Sequence, residues 1–367
     1  MVYRQNKRIA INTGGGDAPG LNGVLRAVAL SAYHRGWEVY GIHDGYRGLI
    51  DTEEITQLTP VLVRDILPLG GTIIGTTNKG NPFEMPIKNA AGDVELHDVS
   101  DRIIENFRRL NFDALISVGG DGSLGIAYRL FQKGLPVIGV PKTIDNDLSS
   151  TVVTFGFDTA VTTATEAIDK LHTTAKAHGR IMVVEVMGRY AGWIALNAGI
   201  SGGADAILIP EIPYDLDLVC RRLMAGKLYK RGYGIVVVAE GACARGDSMS
   251  VKEGAIDGRQ EVLLGGIGEQ VARQIHERTG GDTRYVVLGH LQRGGSPTTF
   301  DRLVATRFGA AAVRAVEEER YGCMVALDPP TVKYVALEDA LSRMKQVPMD
   351  CDSVLSARDI GICLGDE

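Results

Sequence analysis

The sequence predicts an α/β protein built on mainly parallel sheets, and three observations carry that expectation. Short β-branched runs alternate with helix-period stretches along most of the chain. Glycine-rich turns stand where a run ends and the next helix begins. Neither a fixed-period repeat nor a low-complexity tract interrupts this alternation.

The first run, Ile9–Ile11, ends in Gly14-Gly15-Gly16-Asp17-Ala18-Pro19-Gly20 and leads into a helix over Asn22–Arg35, where Val24 and Val28, and Leu25 and Ala29, recur at helical spacing. Val39–Ile42 is the second strand. Ala114–Val118 is the third, ending in Gly119-Gly120-Asp121-Gly122-Ser123 and opening a helix through Tyr128 and Phe131. Val137–Val140 precedes Pro141-Lys142-Thr143-Ile144-Asp145-Asn146-Asp147. Ala160, Ala164, Ile168 and Leu171 mark the next helix, and Ile181–Val186, Ala206–Ile209 and Ile235–Ala239 the next strands. A helix carrying Ile267, Val271 and Ile275 and the strand Tyr285–Leu288 complete the alternation. Beyond Pro329, Val335–Met344 reads as one last helix and Pro348–Glu367 as a loose tail with no assigned chemistry.

With 367 residues and 45% hydrophobic content the chain can bury a large core, as two domains or one large α/β unit. A net charge of −6 and a pI near 5.7, without a dense lysine/arginine block, exclude nucleic acid or a membrane surface as the main partner. No apolar run reaches membrane-spanning length and the first residues lack a signal-peptide core, so a cytoplasmic location is expected. Five widely spread cysteines, with no Cys-x-x-Cys pair, read as reduced thiols.

Chemistry concentrates where strands end. Lys142, Thr143, Asp145 and Asp147 are residue types suited to magnesium binding and activation of a hydroxyl nucleophile, and in an extended segment both carboxylates share one face. The bland alternative is a solvated turn. The loops at 14–20 and 119–123 are candidate phosphate cradles, because glycine admits a ligand close to the backbone and a helix start offers free amides; each is equally readable as a tight turn without ligand. Gly188 and Arg189 follow a strand where an anion can be held, Glu240 suits sugar hydroxyls, and Arg284, His290 and Arg293 form a basic trio. A lone histidine is otherwise a satisfied structural residue.

The obvious competitors fail. A dinucleotide fingerprint starting at Gly14 and Gly16 meets Pro19 at its third glycine, and a P-loop ending at Lys142-Thr143 has Pro136 and Pro141 where glycines belong. A calcium loop from Asp145 has Ser150 and Gly156 at its sixth and twelfth positions.

These residues resemble the 6-phosphofructokinase family over roughly Arg8 to Met344, through Gly-Gly-Asp-Ala-Pro-Gly at 15–20, Gly-Gly-Asp-Gly-Ser at 119–123, Thr-Ile-Asp-Asn-Asp at 143–147, Val-Glu-Val-Met-Gly-Arg-Tyr at 184–190 and Leu-Gly-His-Leu-Gln-Arg-Gly-Gly-Ser-Pro at 288–297. The resemblance implies two similar three-layer domains: 1–156 with a return segment 291–345 for the donor, 157–290 for fructose 6-phosphate, and 346–367 as a tail. It implies Asp145 as general base, Asp121 and Asp147 as Mg2+ ligands, and Gly15, Gly122, Ser123, Asn78, Lys79 and Lys142 at the donor. Thr143 would bond near the transferred group, and Met187, Gly188, Arg189, Glu240, His290 and Arg293 would hold the sugar phosphate, with Arg189 also at the reaction centre. Arg180 and Arg284 would reach it from a neighbouring subunit, which implies a homo-oligomer, a tetramer or a dimer.

Three departures from the bacterial ATP enzymes qualify the implied activity. Lys142 occupies a position where the ATP enzymes usually carry glycine and the pyrophosphate branch lysine, whereas Gly122 replaces the aspartate usual in that branch. An aspartate there would place bulk and negative charge where an α-phosphate must fit, so ATP is the expected donor and pyrophosphate the alternative. A catalytically silent regulatory subunit on the same fold is the reading from another class. Asn78 replaces an arginine, with Lys79 as a partial substitute, and at the effector positions only Arg26 is basic while Leu30, His172 and Tyr229 replace basic residues. Weak or absent ADP activation and phosphoenolpyruvate inhibition is therefore expected.

Overall fold

The apolar runs pair side by side in two separate sheets. The computed structural model describes residues 6–88, 93–225, 232–247, 251–253, 263–264 and 266–367. The chain begins with β1 (Arg8–Thr13), α1 (Leu21–Tyr33), β2 (Glu38–Ile42), α2 (Arg47–Ile50), β3 (Ile55–Gln57), β4 (Met85–Lys88) and β5 (Val94–His97). It continues through α3 (Ser100–Arg109), β6 (Ala114–Gly119), α4 (Asp121–Gln132), β7 (Val137–Pro141), α5 (Phe157–His178), β8 (Ile181–Val186) and α6 (Trp193–Ser201). Next come β9 (Ala206–Leu208), α7 (Leu216–Met224), β10 (Gly234–Ala239), β11 (Val251–Glu253), β12 (Leu263–Leu264), α8 (Ile267–Thr279) and β13 (Thr283–Val287). A 3-10 turn over Gly289–Arg293 leads to α9 (Thr299–Glu317), β14 (Cys323–Asp328), β15 (Thr331–Ala336), α10 (Leu337–Leu341) and α11 (Asp352–Asp359).

The first sheet has seven strands in the order β15-β14-β7-β6-β1-β2-β3, parallel except where the edge strands β3 and β15 join. The second is fully parallel, ordered β13-β8-β10-β9. Every residue of β6 and of β10 is buried, the mark of strands covered on both faces, which is why their sequences are apolar without alternation. On one face of the first sheet Leu25 of α1 and Phe308 of α9 pack against Ile9 and Ile116; on the other, Phe107 of α3 and Leu130 of α4 pack against Leu115. The second sheet is sandwiched likewise, with Ile168 and Ile194 on Val184 and Val237, and Val219 and Val271 on Val183 and Val236. Both units are three-layer α/β sandwiches.

Two expectations are corrected at the C-terminal end. Val335 and Ala336 finish the strand β15, paired with β14 at Met324↔Val335 and Cys323↔Ala336, and only Leu337–Leu341 is helical. Cross-strand pairing with β14 overrides the local helix pattern there. Residues 348–367 do not form a loose tail. They carry α11, bury Val354, Ala357 and Leu364 in the second core, and lay Cys363 beside Ala206 of β9, with the Ile207 N–H donating to Cys363 O at 2.9 Å. Interspersed aspartates and arginines hid this sparse apolar stripe from a composition reading.

Leu364→Ala is expected to cost about 2–4 kcal/mol in urea unfolding, the range for a truncated core leucine. A tail without packing would show a change within about 0.5 kcal/mol.

Candidate active site

In a doubly wound sheet the loops on either side of β1 and β6 leave in opposite directions, opening a crevice at the carboxyl ends of those strands. The Gly14–Gly20 loop and the Gly119–Ser123 turn flank this crevice, and the Gly14 N–H bonds Val118 O at 2.9 Å across it. The loop is also held from the far side, where the Gly15 N–H donates to Thr77 O at 2.9 Å and Thr76 Oγ1 donates to Gly15 O at 2.7 Å. Space is so tight that a Cβ at Gly16 would lie 2.8 Å from Arg293 Nη1. Asp121, Gly122 and Ser123 open α4, with Asp121 and Gly122 exposed, so the free amides of a helix start face the same opening. Asn78 and Lys79 are exposed on the loop just past Thr77.

Lys142, ending the β7 side, lies beneath this loop. It is 3% exposed and its ammonium donates to Gly16 O. Burial drives its pKa down to about 7, the Arg293 charge pushing the same way, while Asp17, Asp145 and Asp147 pull it back up. All three carboxylates are thus electrostatic neighbours of one cation.

The segment carrying Asp145 and Asp147 is not extended, contrary to the alternation expected of a strand: Asn146 between them has φ 52°, in the left-handed region. Asparagine tolerates that conformation, and its side-chain Oδ1 is anchored by the Thr154 N–H and by Lys345 Nζ, each at 3.2 Å. The Asp145 N–H donates to Thr143 Oγ1 at 3.1 Å and Thr154 Oγ1 to Thr143 O at 2.7 Å, which closes the turn.

The second group lies at the carboxyl edge of the other sheet. Glu240 follows β10 and Met187 to Arg189 follow β8; the Glu240 N–H donates to Val186 O at 2.9 Å and the Gly241 N–H to Gly188 O at 3.1 Å. Gly188 has φ 135° and a Cβ there would lie 2.9 Å from Ala191 O, so no side chain fits the turn that presents Arg189. Burial raises the Glu240 carboxyl pKa and the neighbouring Arg189 opposes the rise. His290 is exposed on the 3-10 turn after β13.

Arg293 comes from the same turn. Its Nη1 donates to Asp17 O at 2.9 Å, so it bridges the two groups and its charge reaches both Lys142 and Glu240. Arg180 and Arg284 lie at the opposite, amino edge of the second sheet, both pairing with Asp282, with Arg180 Nε 2.7 Å from Asp282 Oδ2. Within one chain they do not join the other pocket residues. Sequence reasoning missed Asp17 and Lys345, whose roles arise from contacts far along the chain.

Among the described residues no group of three or more His, Cys, Asp or Glu side chains could hold a metal ion.

Two glycine-rich turns, an acidic loop and an arginine-bearing turn linked through Arg293 are the parts an α/β phosphotransferase requires. Residues 8–316 match the Phosphofructokinase family. The chain is 50% identical over 364 residues to the ATP-dependent 6-phosphofructokinase of Chloroflexus aurantiacus, covering 99% of each. It is 47% identical over 343 residues to a pyrophosphate–fructose 6-phosphate 1-phosphotransferase of Streptomyces coelicolor, covering 93% of this chain and 96% of that one. Among solved structures, a Pichia pastoris phosphofructokinase in the T-state matches with a TM-score of 0.78 at 32% identity, over 93% of this chain and 36% of the longer one. The chain therefore spans about a third of that polypeptide. It belongs to the phosphofructokinase family.

The lowered pKa of Lys142 has a stability consequence. Between about pH 7 and the lysine value near 10.4 of an unfolded chain, the unfolded state holds the extra proton, so this group's contribution rises with pH across that window. Unfolding free energies measured from pH 7 to 9 should climb more steeply in wild type than in Lys142→Met, by up to about 1.4 kcal/mol per pH unit. Equal slopes would refute the lowered pKa of the buried lysine.

Proposed function

We propose that this chain is an ATP-dependent 6-phosphofructokinase that transfers the γ-phosphoryl group of ATP to the 1-hydroxyl of fructose 6-phosphate, giving fructose 1,6-bisphosphate in glycolysis. The observation that carries the reading is Arg293, which leaves the carboxyl edge of the second sheet and bonds the phosphate-cradle loop of the first, so the two substrate pockets share one cleft. The Chloroflexus relative, alike over its full length, supports the same activity.

In this reading the first sheet, residues 1–156 with 291–345, holds the donor and residues 157–290 the sugar. Gly15 and Gly122 let the backbone approach the phosphate chain, the Gly122 and Ser123 amides at the α4 start bind it, and Lys142, Asn78 and Lys79 lie beside it. Asp145 takes the proton of the sugar's 1-hydroxyl as the oxygen attacks, and Thr143 donates to the transferred group while its own oxygen steadies the Asp145 amide. Asp121 and Asp147 would hold Mg2+, which supplies neutralisation of charge on the phosphate oxygens. Met187, Gly188, Arg189 and His290 hold the sugar phosphate, Arg189 also stabilising developing charge, and Glu240 accepts from a sugar hydroxyl. Glu240 is partly buried and its pKa is raised, which suits hydrogen bonding to an uncharged sugar hydroxyl.

Arg180 and Arg284 face away from this pocket, at the amino edge of the sheet, so their use for the sugar phosphate requires a second copy of the chain. The enzyme works as a homotetramer or dimer. No helix among the described residues is long and apolar enough to cross a membrane, and the protein acts in the cytoplasm.

A pyrophosphate-dependent reaction on the same sugar is the second reading, favoured by Lys142 and by the Streptomyces relative. Turnover measured with ATP and with pyrophosphate in parallel, each with magnesium, should appear with ATP and fall about a thousandfold in Asp145→Asn, within the usual span of general-base catalysis. Turnover with pyrophosphate alone would reverse the donor assignment, and turnover with neither would remove the kinase reading.

Regulation by ADP should be weak. His172 Nε2 is already engaged with Gly202 O at 2.6 Å, and Leu30 is apolar and packs against the first core; Tyr229 lies outside the described residues. The half-saturating fructose 6-phosphate concentration is expected to move less than about twofold with ADP, against the 5–150-fold span of ordinary allosteric coupling. A fivefold shift would refute this.

A further inference from the structure

The segment from Met344 to Val347 lies between the two pockets and touches both. On one side it pairs with the acidic loop: Leu148 and Met344 form an antiparallel bridge and the Lys345 N–H donates to Asp147 O at 2.7 Å. The Lys345 ammonium has three donors, and all are engaged in that loop, by Asn146 Oδ1 at 3.2 Å, Thr151 O at 3.1 Å and Val152 O at 2.6 Å. Asn146 is the residue whose left-handed backbone separates Asp145 from Asp147. A cation bonded to its side chain therefore helps set the direction in which both carboxylates leave the turn.

On the other side the same residue is held by the second unit. Trp193 Nε1 donates to Lys345 O at 2.9 Å, and the Lys345 ammonium lies 5.4 Å from the centre of the Trp193 ring. Two residues on, the Val347 N–H donates to Glu211 Oε1 at 2.8 Å, and that carboxylate also accepts from the Gly192 N–H at 3.1 Å. Gly192 and Trp193 follow directly on the Arg189 turn.

We propose that Lys345 is a positioning residue for phosphoryl transfer: it fixes the Asp145–Asp147 turn against the loop that presents Arg189, so that base and acceptor pocket keep one alignment. It touches neither substrate. Misplacement of reacting groups by about 1 Å costs on the order of a hundredfold in rate, so a fastener at this point should act on turnover more than on binding. The kinetic part rests on the phosphotransfer reading above; the structural part does not.

The test compares the full-length wild type with Lys345→Met, which keeps the apolar stem and removes the donors, and with Val354→Ala, a core cavity in α11. Amide exchange across 143–152 should quicken at least about tenfold in Lys345→Met and hold its wild-type rate in Val354→Ala. The kcat for fructose 6-phosphate should fall at least about tenfold in Lys345→Met with KM moving less than about threefold, and should stay within about twofold in Val354→Ala. Unchanged exchange and kcat in Lys345→Met, or parallel losses in both variants at matched melting temperature, would overturn the proposal and leave Lys345 a packing residue. Lys345→Gln, judged by the same criteria, replaces Lys345→Met if that variant does not fold. An inactive wild type would sink the reading of the reaction, and the exchange measurement would still decide on Lys345.

Discussion

Parallel pairing of β7, β6 and β1 is the constraint from which the donor side follows. Strands in parallel register deliver their carboxyl ends to one edge, so three loops that are far apart in sequence must share a small volume. Glycine lets the β1 loop lie against the α4 start, and the crowding leaves Lys142 with little solvent. Its low pKa is then a result of the sheet order as much as of its own surroundings. A cation so placed needs compensation, and Asp17, Asp145 and Asp147 supply it.

The acceptor side repeats the arrangement on a smaller sheet, but its chemistry depends on contacts that cross between units. Arg293 projects from one edge to the other and is felt by Lys142 and Glu240 alike. Burial raises the Glu240 pKa, and Arg189 beside it opposes the rise. A partly buried carboxyl is thus opposed by two guanidinium groups, Arg189 and Arg293.

Legibility in the sequence tracked how local the cause was. The strands at 9–11, 114–118 and 235–239 were readable because burial on both faces demands β-branched apolar runs, and the glycine turns because positive backbone angles and close approach demand glycine. The Asp145–Asp147 turn was not readable as a shape: alternation is a rule for strands, and Asn146 leaves the strand region under the hold of Thr154 and of Lys345, 199 residues away. The edge strand β15 and the packed C-terminal segment failed for the same reason, since each is fixed by a partner supplied from elsewhere in the chain. Arg293 was found as a motif residue, but its bond to Asp17, 276 residues away, follows only from the way the two sheets face each other.

Donor choice turns on shape more than on charge. The Lys142 ammonium already donates to Gly16 O from beneath the cradle loop, so it can favour a phosphate chain of any length and adds similar attraction to pyrophosphate and to a nucleoside triphosphate. Discrimination needs a group that tolerates one donor and obstructs the other. Gly122, exposed at the second position of α4, carries no side chain, whereas a carboxylate there would add volume and negative charge against a longer phosphate chain. Lys142 is already bonded to the β1 loop, so its presence does not discriminate between donors, and the choice falls to position 122.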